Sequence, residues 1–174
     1  MVFDPKRLPT RPDGKVGMGM FRAVETLYRG CRFRSRTEAR WAVFYDFLHV
    51  QWSHELERYH LADGTTYMPD FYLPEAKVWV EVKGEYPTGE EQEKAKGLAV
   101  GSGKPVLLYF GPIPYSPSQL DFKTSGIFIF HPTGEFGPIH DFVPWFEAEQ
   151  REAWIEDALE AARSARFEPG RRYR

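Results

Sequence analysis

Apolar residues first recur at helical spacing after residue 40, at Trp41, Val43, Phe44, Phe47 and Leu48. Ser35 and Glu38 precede them and are three residues apart, which is the spacing of a capping box. In that motif a hydroxyl and a carboxylate each accept a hydrogen bond from a backbone N–H that the helix leaves unpaired. The pattern predicts a first helix over residues 36–48.

Three stretches with the composition of β-strands follow this helix, at residues 50–61, 65–73 and 77–83. They are separated by Ala62-Asp63-Gly64 and by Pro74-Glu75-Ala76, which are sequences typical of tight turns. The spacing predicts three consecutive strands joined by turns.

Side chains alternate between the two faces of a strand, so the third stretch divides into two sets. Val78, Val80 and Val82 share one face, and Trp79, Glu81 and Lys83 share the other. The valine face is expected to pack, and Trp79 is expected to lie under the first helix. Glu81 and Lys83 are expected to emerge together, about 7 Å apart, on a face that presents charge.

The second half of the chain carries further helix and strand signals. Thr88 is a candidate N-cap for a polar helical stretch that stops at the glycines of residues 101–103. Residues 105–110 are typical of a buried strand, residues 126–130 predict one more strand, and residues 150–167 predict an amphipathic helix. The order α-β-β-β-α-β with later additions predicts an α/β fold, with a mixed central sheet flanked by helices and a C-terminal helical addition.

A length of 174 residues fits one domain with terminal extensions. Residues 1–20 are rich in proline and glycine and are expected to form an extended arm. Residues 21–110 hold the predicted core. Residues 111–174 are expected to pack on that core and to end in a basic tail, and they are a candidate surface for a second copy of the chain or for a partner protein.

Composition narrows the class of protein. Hydrophobic residues make up 42% and aromatic residues 16% of the chain, which excludes collagen-like and wholly disordered classes. No apolar run approaches the ~20 residues of a membrane-spanning helix, so no membrane association is expected. The single cysteine, Cys31, excludes an internal disulfide, and a cytoplasmic location is expected.

The net charge of −2 is unevenly distributed along the chain. Residues 1–40 carry ten Lys and Arg against four acidic residues, and residues 41–90 carry three against nine. Arg34, Arg36 and Arg40 belong to the basic segment, and guanidinium groups bind phosphates through paired hydrogen bonds. Charge alone leaves two interpretations open, a polyanion-binding surface and an ordinary solvated face. The candidate catalytic site described next lies beside this cluster and favours DNA as its partner. The remaining basic candidates are Lys94, Lys96, Arg171, Arg172 and Arg174.

Acidic and basic side chains in the predicted strands indicate a catalytic site. Asp70 follows Pro69, and a neighbouring strand can bring its carboxylate beside Glu81. Two hard oxygen ligands with open positions for water suit Mg²⁺ or Mn²⁺. Lys83 would orient the attacking water or stabilise charge that develops on a phosphate. Glu38 either completes the metal site or serves only as a helix cap.

These residues, together with the predicted element order, resemble the PD-(D/E)XK restriction-endonuclease-like superfamily. Residues 28–44 (YRGCRFRSRTEARWAVF) and 67–84 (YMPDFYLPEAKVWVEVKG) are similar to a group of small phage and bacterial nucleases. Relatives of that group include branched-DNA resolvases and transposon-end nucleases. The resemblance implies metal-dependent hydrolysis of DNA, with the metal held by Asp70, Glu81 and the Val82 carbonyl. It also implies that Lys83 lies beside the nucleophile.

The sequence therefore predicts a Mg²⁺-dependent DNA endonuclease, with Mn²⁺ as a substitute, whose site contains Glu38, Asp70, Glu81 and Lys83. Two alternatives stay open. One is a nuclease subunit that needs partner proteins, and the other is a DNA-binding or partner-binding module on the same fold without turnover. Branched, single-stranded and duplex DNA are all candidate substrates.

Overall fold

The structure is a computed structural model that describes residues 23–116, 126–137 and 149–167, and for residues 149–152 the backbone alone. The predicted arm and the basic tail lie outside these ranges. The elements are β1 (Thr26–Tyr28), β2 (Cys31–Phe33), α1 (Arg36–Phe47), β3 (Ser53–His54), β4 (Tyr59–His60), β5 (Thr66–Tyr67), β6 (Phe71–Leu73), β7 (Val78–Lys83), α2 (Gly89–Ser102), β8 (Val106–Phe110), β9 (Gly126–Phe130), β10 (Phe136–Gly137) and α3 (Glu149–Ser164). No helix in the described ranges is long and apolar enough to cross a membrane.

Six strands form one mixed sheet in the order β10-β9-β8-β7-β6-β3. Neighbouring strands run antiparallel except β7 and β8, which run parallel and are joined by α2. A parallel pair needs a crossover connection, and this helix supplies it. Two separate hairpins, β1–β2 and β4–β5, complete the described strands. The prediction of an α/β fold with a mixed sheet is confirmed.

Different helices cover the two faces of the sheet, so β7 and β8 are buried on both sides. The valine face of β7 lies in one apolar cluster with residues of α1 and α3. The opposite face carries Trp79, which lies in a second cluster with Leu98 of α2. The predicted alternation along β7 is confirmed, but the prediction that Trp79 packs under the first helix is wrong. Because the valines occupy the α1 side, the period of two directs Trp79 to the α2 side.

The described part of the C-terminal segment packs on the sheet and on α1. Strand β9 occupies the predicted residues 126–130 and pairs with β8. Helix α3 packs against α1 and buries Ile155 and Leu159 in the same cluster as the β7 valines. These contacts extend the apolar core beyond residue 110.

The first strand-like stretch, residues 50–61, is not one strand. It divides into β3 and β4 around Glu55, whose φ of +46° is a left-handed backbone conformation. The Glu55 N–H donates to the Asp70 carbonyl oxygen at 3.0 Å, and the chain then leaves the sheet for the β4–β5 hairpin. One residue in this conformation interrupts the strand, and the polarity pattern of the sequence does not reveal it.

Capping interactions fix the first turns of α1 and α2. The Ser35 hydroxyl accepts a hydrogen bond from the Glu38 N–H at 3.2 Å. Thr88 and Glu91 form a complete capping box on α2. These caps hold Glu38 and Glu91 at the ends of their helices that border one cavity.

Candidate active site

The pairing of β6 with β7 brings Asp70 and Glu81 together. Phe71 pairs with Val80 in this antiparallel ladder, so extending the register by one residue sets Asp70 opposite Glu81. Both side chains are almost fully buried, with 3% and 4% of their surfaces exposed. The two carboxylates that the sequence assigned to neighbouring strands therefore share one buried position at the end of β6.

The backbone of Val82 in β7 extends past the start of β6 and faces the Asp70 side chain there. The Val82 N–H donates to Asp70 Oδ2 at 2.8 Å. In the extended register Pro69 would stand opposite Val82, and proline has no N–H to donate to the Val82 carbonyl. Because the N–H and C=O of one strand residue point to the same edge, this carbonyl faces the Asp70 side without a donor from β6.

Lys83 is held as a cation beside Glu81. Its Nζ lies 2.7 Å from Glu81 Oε1 and 3.4 Å from Glu91 Oε1 of α2. Burial acts to lower the pKa of the ammonium group, but the nearby carboxylates, Glu81 foremost, outweigh it and raise the pKa. The Glu81–Lys83 pair is thus a largely buried ion pair and not the exposed pair that would contribute little.

Glu38 enters the site from the first turn of α1 and is 6% exposed. Its Oε2 accepts the Arg34 N–H at 3.0 Å, and its Oε1 accepts the Ser35 hydroxyl at 2.7 Å. The predicted capping box is therefore modified, because the carboxylate binds the N–H one residue before the N-cap. Glu38 also lines the cavity that contains Asp70 and Glu81. It has both a capping contact and a place in the site, and direct metal binding by Glu38 stays a prediction.

The three predicted DNA-binding arginines lie in different surroundings. Arg34 lines the cavity, and its Nη2 is 3.4 Å from Asp70 Oδ1. Arg36 is exposed on the first turn of α1. Arg40 is half-buried, and its buried Nε has no hydrogen-bond partner among the described residues. Arg36 and Arg40 are not among the residues that line the cavity.

A cavity of about 490 Å³ joins these groups, and sequence reasoning missed part of its lining. The lining residues not predicted for the site are Arg58, Thr66, Tyr67, Met68 and Glu91, and Lys94 joins them from α2. The sequence does contain a signal for Glu91, because Thr88 and Glu91 have the spacing of a capping box and this motif places Glu91 in the first turn of a helix. Arg58 had none, since it lies in the connection between β3 and β4, where no periodic pattern identifies a neighbour.

The carboxylates make the site anionic. The pKa of Asp70 is raised well above its ordinary value, first because the carboxyl is buried and then because Glu81 and Glu38 are near. The Val82 N–H and Lys83 oppose this rise. Burial also raises the pKa of Glu38, outweighing the hydrogen bonds from Ser35 and Arg34. Buried negative charge of this kind favours an additional cation.

Glu81 Oε2 is an open position for such a cation. This oxygen is buried and accepts no hydrogen bond from the residues that the structure describes. The pKa of the Tyr67 hydroxyl is raised by burial and by nearby Glu81, yet the hydroxyl makes no well-aligned bond to that carboxylate. A buried carboxylate oxygen without a donor is costly, and a hard cation would satisfy it.

The donor set suits a cation that retains water. Across the described ranges there is no group of three or more His, Cys, Asp or Glu side chains that could hold a metal ion. The candidate ligands are instead two carboxylates and the Val82 carbonyl. Mg²⁺ fits such a set, because it commonly keeps several waters and binds protein through one or two carboxylates.

A scan of the chain against models of protein families finds no match. Searches among curated proteins and among solved structures find no similar protein either.

Proposed function

We propose that the chain is a Mg²⁺-dependent DNA endonuclease with a restriction-endonuclease-like core. The observation that carries the proposal is the buried pair Asp70 and Glu81, with Glu81 Oε2 open and Lys83 Nζ 2.7 Å from Glu81 Oε1. The order α1, β3, β6, β7, α2, β8 supports the core assignment, because it follows the α-β-β-β-α-β order expected from the resemblance.

The proposed metal ligands are Asp70, Glu81 and the Val82 carbonyl, and Glu38 lines the same cavity. When bound, Mg²⁺ or Mn²⁺ would supply activation of water and neutralisation of charge on a phosphodiester. Asp70 keeps one oxygen on the Val82 N–H, which fixes the orientation of its carboxylate. A carboxylate fixed in this way holds the donor set in place before a substrate arrives.

Lys83 supplies positive charge on the side of Glu81 that faces α2. The contacts to Glu81 and Glu91 fix its ammonium group and keep it protonated. A protonated group in this position can stabilise the negative charge that develops on the phosphate, and it is not suited to accept a proton. Its proposed role is therefore electrostatic.

Besides Lys83, three cationic side chains line the cavity and provide contacts for the phosphate backbone. Arg34, Arg58 and Lys94 come from separate parts of the chain and surround the anionic centre. Polyanion binding depends on such contacts, since an anionic site alone repels DNA. Arg36 and Arg40 would extend this surface along α1.

Incubation with DNA tests the proposal. The full chain is mixed with duplex, single-stranded, flap and four-way-junction DNA in Mg²⁺, in Mn²⁺ and in EDTA. We expect cleavage of at least one substrate in either metal and none in EDTA. Cleavage that persists in EDTA would contradict the metal-dependent mechanism. Binding of DNA without cleavage of any substrate would instead favour the non-catalytic module.

A further inference from the structure

Arg34 lies between two carboxylates at the entrance of the site. Its Nη2 is 2.8 Å from Glu55 Oε1 and 3.4 Å from Asp70 Oδ1. The other oxygen of Asp70 accepts the Val82 N–H. The guanidinium therefore faces the Asp70 oxygen that the backbone leaves free, and its closer contact is with Glu55.

Glu55 is fixed to Asp70 through the backbone. Its N–H donates to the Asp70 carbonyl oxygen at 3.0 Å, and its φ of +46° is unusual for a residue other than glycine. Left-handed conformations at such residues persist where the surrounding structure enforces them, and they cluster at functional sites. The two carboxylates that share Arg34 are thus held at a set separation.

We propose that Arg34 is an exchangeable cation that competes with a divalent metal for Asp70, and that Glu55 is the positioning residue that retains Arg34 when the metal binds. The inference rests on the proposed function. A metal at Asp70 would repel the guanidinium 3.4 Å away, and the 2.8 Å contact with Glu55 would remain. The Nη2 N–H released from Asp70 would then be available to a phosphate at the entrance.

This exchange links metal binding to DNA binding. With no metal, Arg34 offsets part of the negative charge on Asp70. With metal present, the same side chain is freed for the backbone of the substrate. Coupling of this kind works in both directions, so DNA bound to Arg34 would also strengthen metal binding.

Calorimetric titration of the full chain with Mn²⁺, without DNA, tests the inference. A partly exposed ion pair contributes up to about 1 kcal/mol, or about fivefold in an equilibrium constant. We expect Arg34→Met to bind Mn²⁺ up to about fivefold more tightly than wild type. We expect Glu55→Gln to bind it more weakly, because Arg34 then has Asp70 as its remaining partner. In the Arg34→Met background, Glu55→Gln should change nothing.

Arg58→Met is the matched control. Arg58 lines the same cavity and makes no ion pair with the described residues, so its removal changes the charge of the cavity without freeing Asp70. Equal Mn²⁺ affinity in Arg34→Met and wild type would overturn the inference. So would an equal gain in Arg34→Met and Arg58→Met, or a Glu55→Gln effect that persists without Arg34. Absence of Mn²⁺ binding by wild type would overturn the proposed metal site itself. Thermal unfolding of each variant shows whether it is folded.

Discussion

The buried carboxylate of Asp70 makes an unfavourable contribution to the stability of the folded protein. Its carboxyl is 3% exposed and lies near Glu81 and Glu38, so burial and repulsion both favour the protonated form. The Val82 N–H recovers part of this cost. Functional sites often carry such unfavourable groups, and replacing them frequently stabilises the protein.

Asp70→Asn should therefore stabilise the metal-free protein at pH 7, because burial and the neighbouring carboxylates make the ionised carboxyl of Asp70 unfavourable in the folded state. Because the pKa of Asp70 is raised in the fold above its ordinary value of 3.8, the folded state binds more protons than the unfolded state above that pH. The stability of the wild-type protein then falls as pH rises from the ordinary pKa of Asp70 towards its raised pKa in the fold. The extra stability of Asp70→Asn should therefore vanish below about pH 4. Urea unfolding at several pH values measures both effects.

Asp63→Asn is the control for this prediction. Asp63 is exposed, and hydrogen bonds from the Thr65 side chain and backbone lower its pKa, so its contribution to stability is present above 3.8 and is lost as pH falls through the lowered value. This variant should not be stabilised at pH 7. Equal gains in both variants, or a loss in Asp70→Asn at pH 7, would contradict the electrostatic account of Asp70.

Lys83→Met should separate catalysis from metal binding. Removing a group that stabilises transition-state charge costs about 10²–10³ in kcat. Metal affinity should not fall, because the variant removes a cation 2.7 Å from a proposed metal ligand. Turnover and Mn²⁺ calorimetry on the same preparation measure the two quantities. Loss of metal binding together with activity would make Lys83 a structural residue.

Within single helices and strands, the sequence patterns predicted the features that depend on neighbouring residues alone. Ser35 and Thr88 begin α1 and α2 as N-caps, and both observed helices start at the next residue. The valines of β7 share one face because a strand has a period of two. The face on which Trp79 packs depends on which helix covers each side of the sheet. That choice is made by contacts far apart in the chain, so the prediction for Trp79 failed.

The division of residues 50–61 also depends on a distant contact. The bend at Glu55 is accompanied by a bond to the Asp70 carbonyl, and that partner is distant in sequence. An apolar and polar pattern read along the chain contains no information about this bond. The same bend places the Glu55 carboxylate beside Arg34, which is why sequence reasoning missed this residue.

The first turn of α1 gives a prediction that separates a cap from a catalytic residue. Ser35→Ala removes the hydroxyl that accepts the Glu38 N–H and should cost about 1 kcal/mol of stability, with cleavage retained. Glu38→Gln keeps an oxygen for the Arg34 N–H and should lose less stability. If Glu38 completes the site, this variant should lose cleavage, because an amide is a poor ligand for Mg²⁺. Denaturant unfolding measures the stability of both variants, and a DNA cleavage assay measures their activity. Normal cleavage by Glu38→Gln would show that Glu38 acts only as a helix cap.

Across the whole molecule, the fold brings cationic side chains from separate segments of the chain to one cavity. Arg34, Arg58 and Lys94 form a cationic border around the carboxylates of Asp70 and Glu81. The sequence showed a basic leading segment and an acidic middle. The structure instead draws its cavity-lining cations from both, since Arg34 belongs to the first and Arg58 to the second. A charge count by segment could not predict this arrangement.

Arg58 and Lys94 should therefore contribute to the salt dependence of DNA binding. Each lost phosphate contact should flatten the plot of log affinity against log salt by about 0.9 on duplex DNA and about 0.7 on single strands. Titrations of Arg58→Ala and Lys94→Ala in EDTA, where cleavage is prevented, measure the slope. Arg166→Ala is the control, because Arg166 is exposed after α3 and is not among the residues lining the cavity. An unchanged slope in both cavity variants would show that DNA does not contact this border.

The most direct measurement is the rate of DNA cleavage in Mg²⁺ by wild type, Asp70→Asn and Glu81→Gln, with Glu75→Gln as the matched control. Glu75 is an exposed carboxylate in the turn between β6 and β7 and lies outside the candidate site. We predict that wild type and the control cleave at the same rate and that both site variants are folded but inactive. Cleavage at the wild-type rate by either folded site variant would contradict the assignment of Asp70 and Glu81 as the metal-binding centre.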